Sequence, residues 1–213
     1  MRELAAARRL AAAALLALAV GFAAAQSPDP AADERRRVDA ARLMNDLMLG
    51  KDVGGDFTLT DAHGRKRSLK DFRGSVVVLY FGFTTCPDIC PTYMLAIGKA
   101  VKALGKEAKA IQPLFVTLDP ARDKPSVIAE YVKNFHPSFV ALTGSEDEIR
   151  RVASAYKVFY EKVPAEGAFG YTIDHSSFTF LIDREGRYVG FMPPGTPHDR
   201  IARLLHAEVA AAP

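Results

Sequence analysis

Cys86 and Cys90 are the only cysteines in the chain, and they stand four residues apart in Phe83-Thr84-Thr85-Cys86-Pro87-Asp88-Ile89-Cys90-Pro91. Four residues along a helix make rather more than one turn, so both sulfurs fall on one face. There they can grip one soft metal ion together or close on each other as a redox disulfide. Pro87 and Pro91 restrict where a helix can begin, because proline suits a first turn and costs about 3 kcal/mol in a helix interior. The spacing predicts a loose first turn with regular helix from Pro91, Cys90 at or beside the cap and Cys86 in the loop before it. The thiols then face the positive end of the helix, which favours thiolate and lowers the pKa. Relative to a Cys-x-x-Cys pair, the extra residue widens the opening between sulfurs. A disulfide needs the Cα atoms within about 7 Å, whereas an ion held at about 2.3 Å from each sulfur is less demanding.

Two thiolates suit Cu(I), and an imidazole would complete a trigonal site that also serves Cu(II). Of the five histidines, His175 stands apart. It opens Asp174-His175-Ser176-Ser177-Phe178-Thr179-Phe180-Leu181-Ile182, on the threshold of a late strand. A histidine in such a place is unremarkable alone; what singles it out is a topology that returns late loops to the cysteine loop. His63 falls in a turn, His136 precedes Pro137 at a helix end where a cation is favoured, and His198 and His206 belong to the last helix and its start.

These residues need a scaffold. Val76-Val77-Val78-Leu79-Tyr80-Phe81 is continuously apolar, as expected of a strand covered on both faces, and it leads directly into the cysteine loop. A helix is expected from Thr92 to Leu104, then strand 114–118, helix 126–135, strand 139–142 and helix 146–159, capped by Ser145 or Gly144 with acidic residues in its first turn. Earlier, Phe57-Thr58-Leu59-Thr60 and the segment after Arg65 bracket a turn, and late strands 177–182 and 188–191 bracket another. The last helix runs from Pro197 or His198 to Val209. Helices interleaved with strands, then a hairpin and a closing helix, predict an α/β, thioredoxin-like three-layer fold with a central mixed sheet and flanking helices. Residues 52–213 form this domain. Residues 26–51 provide a flexible tether, Ser27 to Asp33, and a short amphipathic helix from Glu34 to Met48, on which Met44 and Met48 share a face read as apolar packing rather than as copper ligands.

Arg2, Arg8 and Arg9 precede an apolar stretch from Leu10 to Ala25 that ends in small residues, the pattern of a secretory leader over residues 1–25. It is shorter than the ~20 residues a comfortable membrane span needs. Cleavage after Ala25 into the periplasm is expected, with retention as an uncleaved inner-membrane anchor as the alternative. In an oxidising compartment a cysteine pair normally reads as a structural staple. This chain is long enough to build a core without one, and so short a loop would remove little entropy from the unfolded state. The formal charge of +3 falls further once the three leader arginines, less Glu3, are removed, so no nucleic-acid footprint is visible.

The motifs resemble the Sco/SenC family, copper chaperones that help assemble the dinuclear copper centre of cytochrome c oxidase. Phe81-Gly82-Phe83-Thr84-Thr85-Cys86-Pro87-Asp88-Ile89-Cys90-Pro91 is similar to the family signature throughout. Val116-Thr117-Leu118-Asp119-Pro120-Ala121-Arg122-Asp123 resembles a second block and Asp174-His175-Ser176 a third. The resemblance implies a copper site of Cys86, Cys90 and His175, with Asp119 orienting it from behind or capping a turn. It implies subunit II of the oxidase as client and an upstream periplasmic copper donor. A thiol–disulfide oxidoreductase using Cys86 and Cys90 is the alternative. Many relatives keep a membrane anchor where this leader looks cleavable, so the mode of attachment is where the chain departs.

Overall fold

The computed structural model describes residues 30–166 and 170–211. The leader expected over residues 1–25 lies outside the described residues. Helix α1 spans Pro30–Leu49, longer than the expected Glu34–Met48, so the tether's last residues are helical. Proline is pre-organised for a first helical position, and Ala31 and Ala32 are strong helix formers. Among the described residues no helix is long and apolar enough to cross a membrane.

The compact unit that carries the sheet begins at Leu43. Within it the end of α1 is fixed by Leu47, which is buried and whose carbonyl accepts the Tyr188 hydroxyl at 2.8 Å. Met48 is 72% exposed and Met44 38%, so the packing expected of that face falls to Leu47 instead.

Among the described residues nine strands follow: β1 Thr58–Asp61, β2 Lys66–Ser68, β3 Val76–Gly82, β4 Ile111–Thr117, β5 Val140–Thr143, β6 Tyr160–Pro164, β7 Tyr171–His175, β8 Thr179–Ile182 and β9 Tyr188–Met192. Seven build one sheet in the order β2-β1-β5-β4-β3-β8-β9. β3, β4 and β5 run parallel, while β8 lies antiparallel against β3, β9 against β8, and β1 against both β5 and β2. Parallel neighbours need long crossovers, supplied here by helices α2 Ile89–Ala103 and α3 Pro125–Lys133; α4 Glu146–Ala155 and α5 His198–Ala210 complete the set. All seven residues of β3 are buried. Since alternate side chains point to opposite faces, both faces of the sheet are covered, which is the three-layer arrangement the continuous apolar run predicts. α2 rests on α5. It also approaches the chain after α3 so closely that a Cβ on Gly98 would meet the Phe135 carbonyl oxygen at 2.6 Å.

Two boundaries differ from expectation in ways that matter. α2 starts at Ile89 rather than Pro91, with Asp88 as its cap. Pro91 is then the third helical residue, where its missing N–H is one a helix leaves unpaired anyway. α4 stops at Ala155 rather than running to Phe159. Lys157 adopts a φ of 56°, its N–H donates to Ser154, and that of Val158 donates to Ala153 at 2.8 Å. This is a Schellman stop without the glycine that usually marks one. The chain that follows this stop forms β6, which pairs with β7 as a separate two-stranded sheet. The sequence pattern predicts no strand there.

Candidate metal centre

β3 ends at Gly82 and delivers the chain to the cysteine loop. A Cβ on Gly82 would lie 3.0 Å from the Cys90 sulfur, 3.0 Å from Tyr80 Cε1 and 3.2 Å from Phe115 Cε2. Glycine is what leaves room for that sulfur. Two residues on, Thr84 is anchored to Asp123: its N–H donates to the carboxylate at 3.0 Å and its hydroxyl at 2.5 Å. The Thr117 hydroxyl at the end of β4 donates to the same carboxylate at 2.5 Å. Asp123 is 1% exposed, and burial raises its pKa despite these donors. Paired in this way, it joins the root of the cysteine loop to the end of the neighbouring strand.

Cys90 is the second residue of α2 and fully buried, whereas Cys86 is half-buried in the loop, and both are free thiols. The Cys90 N–H donates to the Cys86 sulfur at 3.3 Å. The Cys90 thiol and backbone N–H groups at the helix start hold the Cys86 pKa down to about 5, while its contact with Cys86 and burial push Cys90 up. Charge on the pair therefore settles on Cys86.

His175 closes β7, opposite Tyr160 of β6. The pairing of Thr179 with Tyr80 brings the start of β8 alongside the end of β3, so the residue four positions earlier returns to the cysteine loop. His175 Nδ1 lies 3.0 Å from the Ser176 carbonyl oxygen. A carbonyl only accepts, so Nδ1 carries the proton and Nε2 presents a lone pair. That nitrogen stands 3.7 Å from the Cys90 sulfur. Burial lowers the His175 pKa, which keeps the ring neutral and able to ligate. A trigonal ion at about 2.3 Å from a thiolate and 2.0 Å from an imidazole separates the two donors by about 3.7 Å. Among the described residues no three ligating side chains already form a closed cluster. Cys86, the third candidate, shares with His175 a shallow cavity of about 240 Å³ that Phe83, Pro87, Ile89 and Ile173 also line.

The hairpin that carries His175 is tied down at its other end. Asp119, fully buried after β4, pairs with Arg122 Nε and accepts the Tyr171 hydroxyl at 2.9 Å. Arg122 Nη1 donates to the Tyr171 carbonyl at 3.0 Å, and its guanidinium stacks 3.8 Å from the centre of the Tyr171 ring. Lys162 of β6 adds an exposed ion pair to Glu146 at 2.9 Å. Asp119 thus reaches the site through the strand bearing His175 and not by contact with a sulfur.

Sequence reasoning passed over Asp123, Arg122 and Tyr171. The first two lie in the quoted block 116–123, where a buried position for Asp123 was the missing information. Tyr171 carried no signal, because its hairpin did not. The other histidines take other partners or solvent: His136 meets Ser138 at 2.8 Å, His206 meets Glu107 at 2.8 Å, and His63 and His198 are exposed.

The family model SCO1/SenC matches residues 45–210. The chain belongs to the SCO1/SenC family. An SCO2-like protein of Rickettsia prowazekii is 48% identical over 138 residues, 64% of this chain and 67% of that one. The human mitochondrial SCO2 homolog is 34% identical over 180 residues, 84% of this chain and 68% of that one. Among SCO1/SenC structures, Bradyrhizobium japonicum ScoI with copper bound aligns with a TM-score of 0.68 at 35% identity, over 73% of this chain and 99% of that one. Yeast Sco1 with copper bound aligns at 0.68 and 36%, over 76% and 91%. The mixed sheet flanked by helices is the thioredoxin-like fold of these relatives.

Proposed function

We propose that this member of the SCO1/SenC family is a copper chaperone. It holds one copper ion through Cys86, Cys90 and His175 and passes it in the periplasm to the dinuclear centre of cytochrome c oxidase subunit II, after loading by an upstream donor. The observation that carries the reading is the 3.7 Å approach of a proton-free imidazole nitrogen to the Cys90 sulfur, a separation suited to two ligands of one trigonal ion. The copper held by related ScoI and Sco1 structures supports the choice of metal. Cys86 supplies the third donor by turning its sulfur from the Cys90 N–H toward the ion, and its partial exposure gives an incoming client thiolate a place to begin ligand exchange. No catalytic turnover is needed. Copper titration of the reduced protein should reach one ion per chain, with loss of binding in Cys86→Ser or Cys90→Ser and weakened binding in His175→Ala. Stoichiometric binding without Cys90 overturns the assignment.

A second reading has its own support. A Cys86 thiol lowered to about 5 beside a buried, protonated Cys90 is the polarity of an attacking and a resolving thiol, suited to reducing a client disulfide. That chemistry does not use His175. If His175→Ala retains full oxidase assembly in cells while both cysteine variants lose it, the reductant reading replaces the carrier.

A further inference from the structure

Behind Cys90 the core contains a phenol whose hydroxyl is not held in a well-formed hydrogen bond. Tyr80 of β3 is fully buried, yet its hydroxyl has no hydrogen-bond partner of good geometry. A buried hydroxyl left unpaired is costly and calls for a reason. The Tyr80 ring edge and the Cys90 sulfur flank the same space left open by Gly82, and the hydroxyl and the thiol are close enough to influence each other, but not in the geometry of a well-formed hydrogen bond. A thiol is a weak acceptor, but a metal-bound thiolate is a strong one. Ligation removes the thiol proton to solvent and leaves a negative sulfur beside the phenol.

We propose that the Tyr80 hydroxyl is a reserve hydrogen-bond donor to the Cys90 sulfur, poorly aligned on the metal-free thiol and fully engaged when that sulfur binds metal. This rests on the copper reading of Cys90. It makes Tyr80 a positioning residue that acts through the sulfur: it stabilises the loaded site, draws electron density from the thiolate, and restrains Cys90 from leaving the ion, so Cys86, on the exposed side, is the sulfur that exchanges first. Tyr131 also has a buried, unpaired hydroxyl within electrostatic reach of Cys90. It stands on α3 rather than on the strand packed against the sulfur, and so serves as the comparison.

The test is Tyr80→Phe, which deletes one oxygen from the whole protein. The metal-free variant should melt at the wild-type temperature or above it, because the hydroxyl removed has no well-formed hydrogen bond there. Its copper affinity should fall about tenfold, the scale of one hydrogen bond to a charged acceptor. The thiolate-to-Cu(II) absorption should move to longer wavelength as the sulfur regains electron density, and Tyr131→Phe should shift it less. In the wild type with Cu(I), the Tyr80 hydroxyl proton should become observable by NMR and move downfield. A lower melting temperature with affinity and absorption unchanged would make the hydroxyl merely structural and overturn the inference. So would a larger shift in Tyr131→Phe, or an unchanged NMR spectrum on loading. Wild type that shows no thiolate absorption with Cu(II) instead removes the copper reading itself, and this inference falls with it.

Discussion

Cys86 receives the N–H of Cys90 on its sulfur at 3.3 Å and is half-exposed, whereas Cys90 is enclosed by Tyr80, Gly82 and the first turn of α2. One sulfur is ready to react and the other is kept protonated. The sign of the pH dependence follows. A thiol lowered to about 5 is thiolate throughout the neutral range and gains its proton only as the pH falls through that value. In metal-free, reduced protein, iodoacetamide should therefore alkylate Cys86 at a rate that stays level from about pH 8 to 6 and halves near pH 5, while Cys90 is modified only on unfolding. Mass spectrometry of the two labelled peptides checks this. A Cys86 rate still climbing between pH 7 and 9, as for an ordinary thiol near 8.5, would show that the helix start and Cys90 do not depress it.

The hairpin of β6 and β7 makes a two-stranded sheet of its own, and such a unit is marginal in water without packing. Its position rests on Asp119, Arg122 and Tyr171. Replacing Arg122 with Leu leaves a buried carboxylate without its cation, a loss of about 3–5 kcal/mol where no other group compensates. The expected result is faster amide exchange across residues 171–175 with β3 still protected, together with weaker copper binding by otherwise intact cysteines. Tyr171→Phe keeps the ring under Arg122 and loses only the hydroxyl bond, so its effect should be smaller, about 0.5–1.5 kcal/mol. Uniform loss of protection in both sheets would show that Arg122 supports the whole fold rather than the hairpin. The same hairpin marks where the sequence stops being readable. β3 announces itself because it is covered on both faces and must be apolar throughout. Tyr160-Glu161-Lys162-Val163-Pro164 is largely solvated, shows no clean alternation, and follows a helix stop made by Lys157 instead of glycine. Cys86, Cys90 and His175 could be picked out by residue type, but the clamp depends on side chains whose meaning comes only from burial.

At the scale of the molecule, the parallel strands β3 and β4 end at one edge of the sheet, as ligand-binding loops of α/β folds commonly do. The cysteine loop follows β3 and Asp119 follows β4. β8 runs the other way, so its beginning, and His175 before it, reach that same edge. An ion bound there links the first helix crossover to the late hairpin, across 85 residues of chain between Cys90 and His175. Binding that belongs to the native state alone stabilises it by mass action, by about 4 kcal/mol when free ligand is 1,000 times Kd. Calorimetry should show a rise in melting temperature when Cu(I) is added to reduced protein and a smaller rise in His175→Ala, which loses the cross-link to the hairpin. Oxidation to a Cys86–Cys90 disulfide consumes both sulfurs, so oxidised protein should gain nothing from copper until it is reduced again. A rise that survives oxidation would place the ion away from these cysteines.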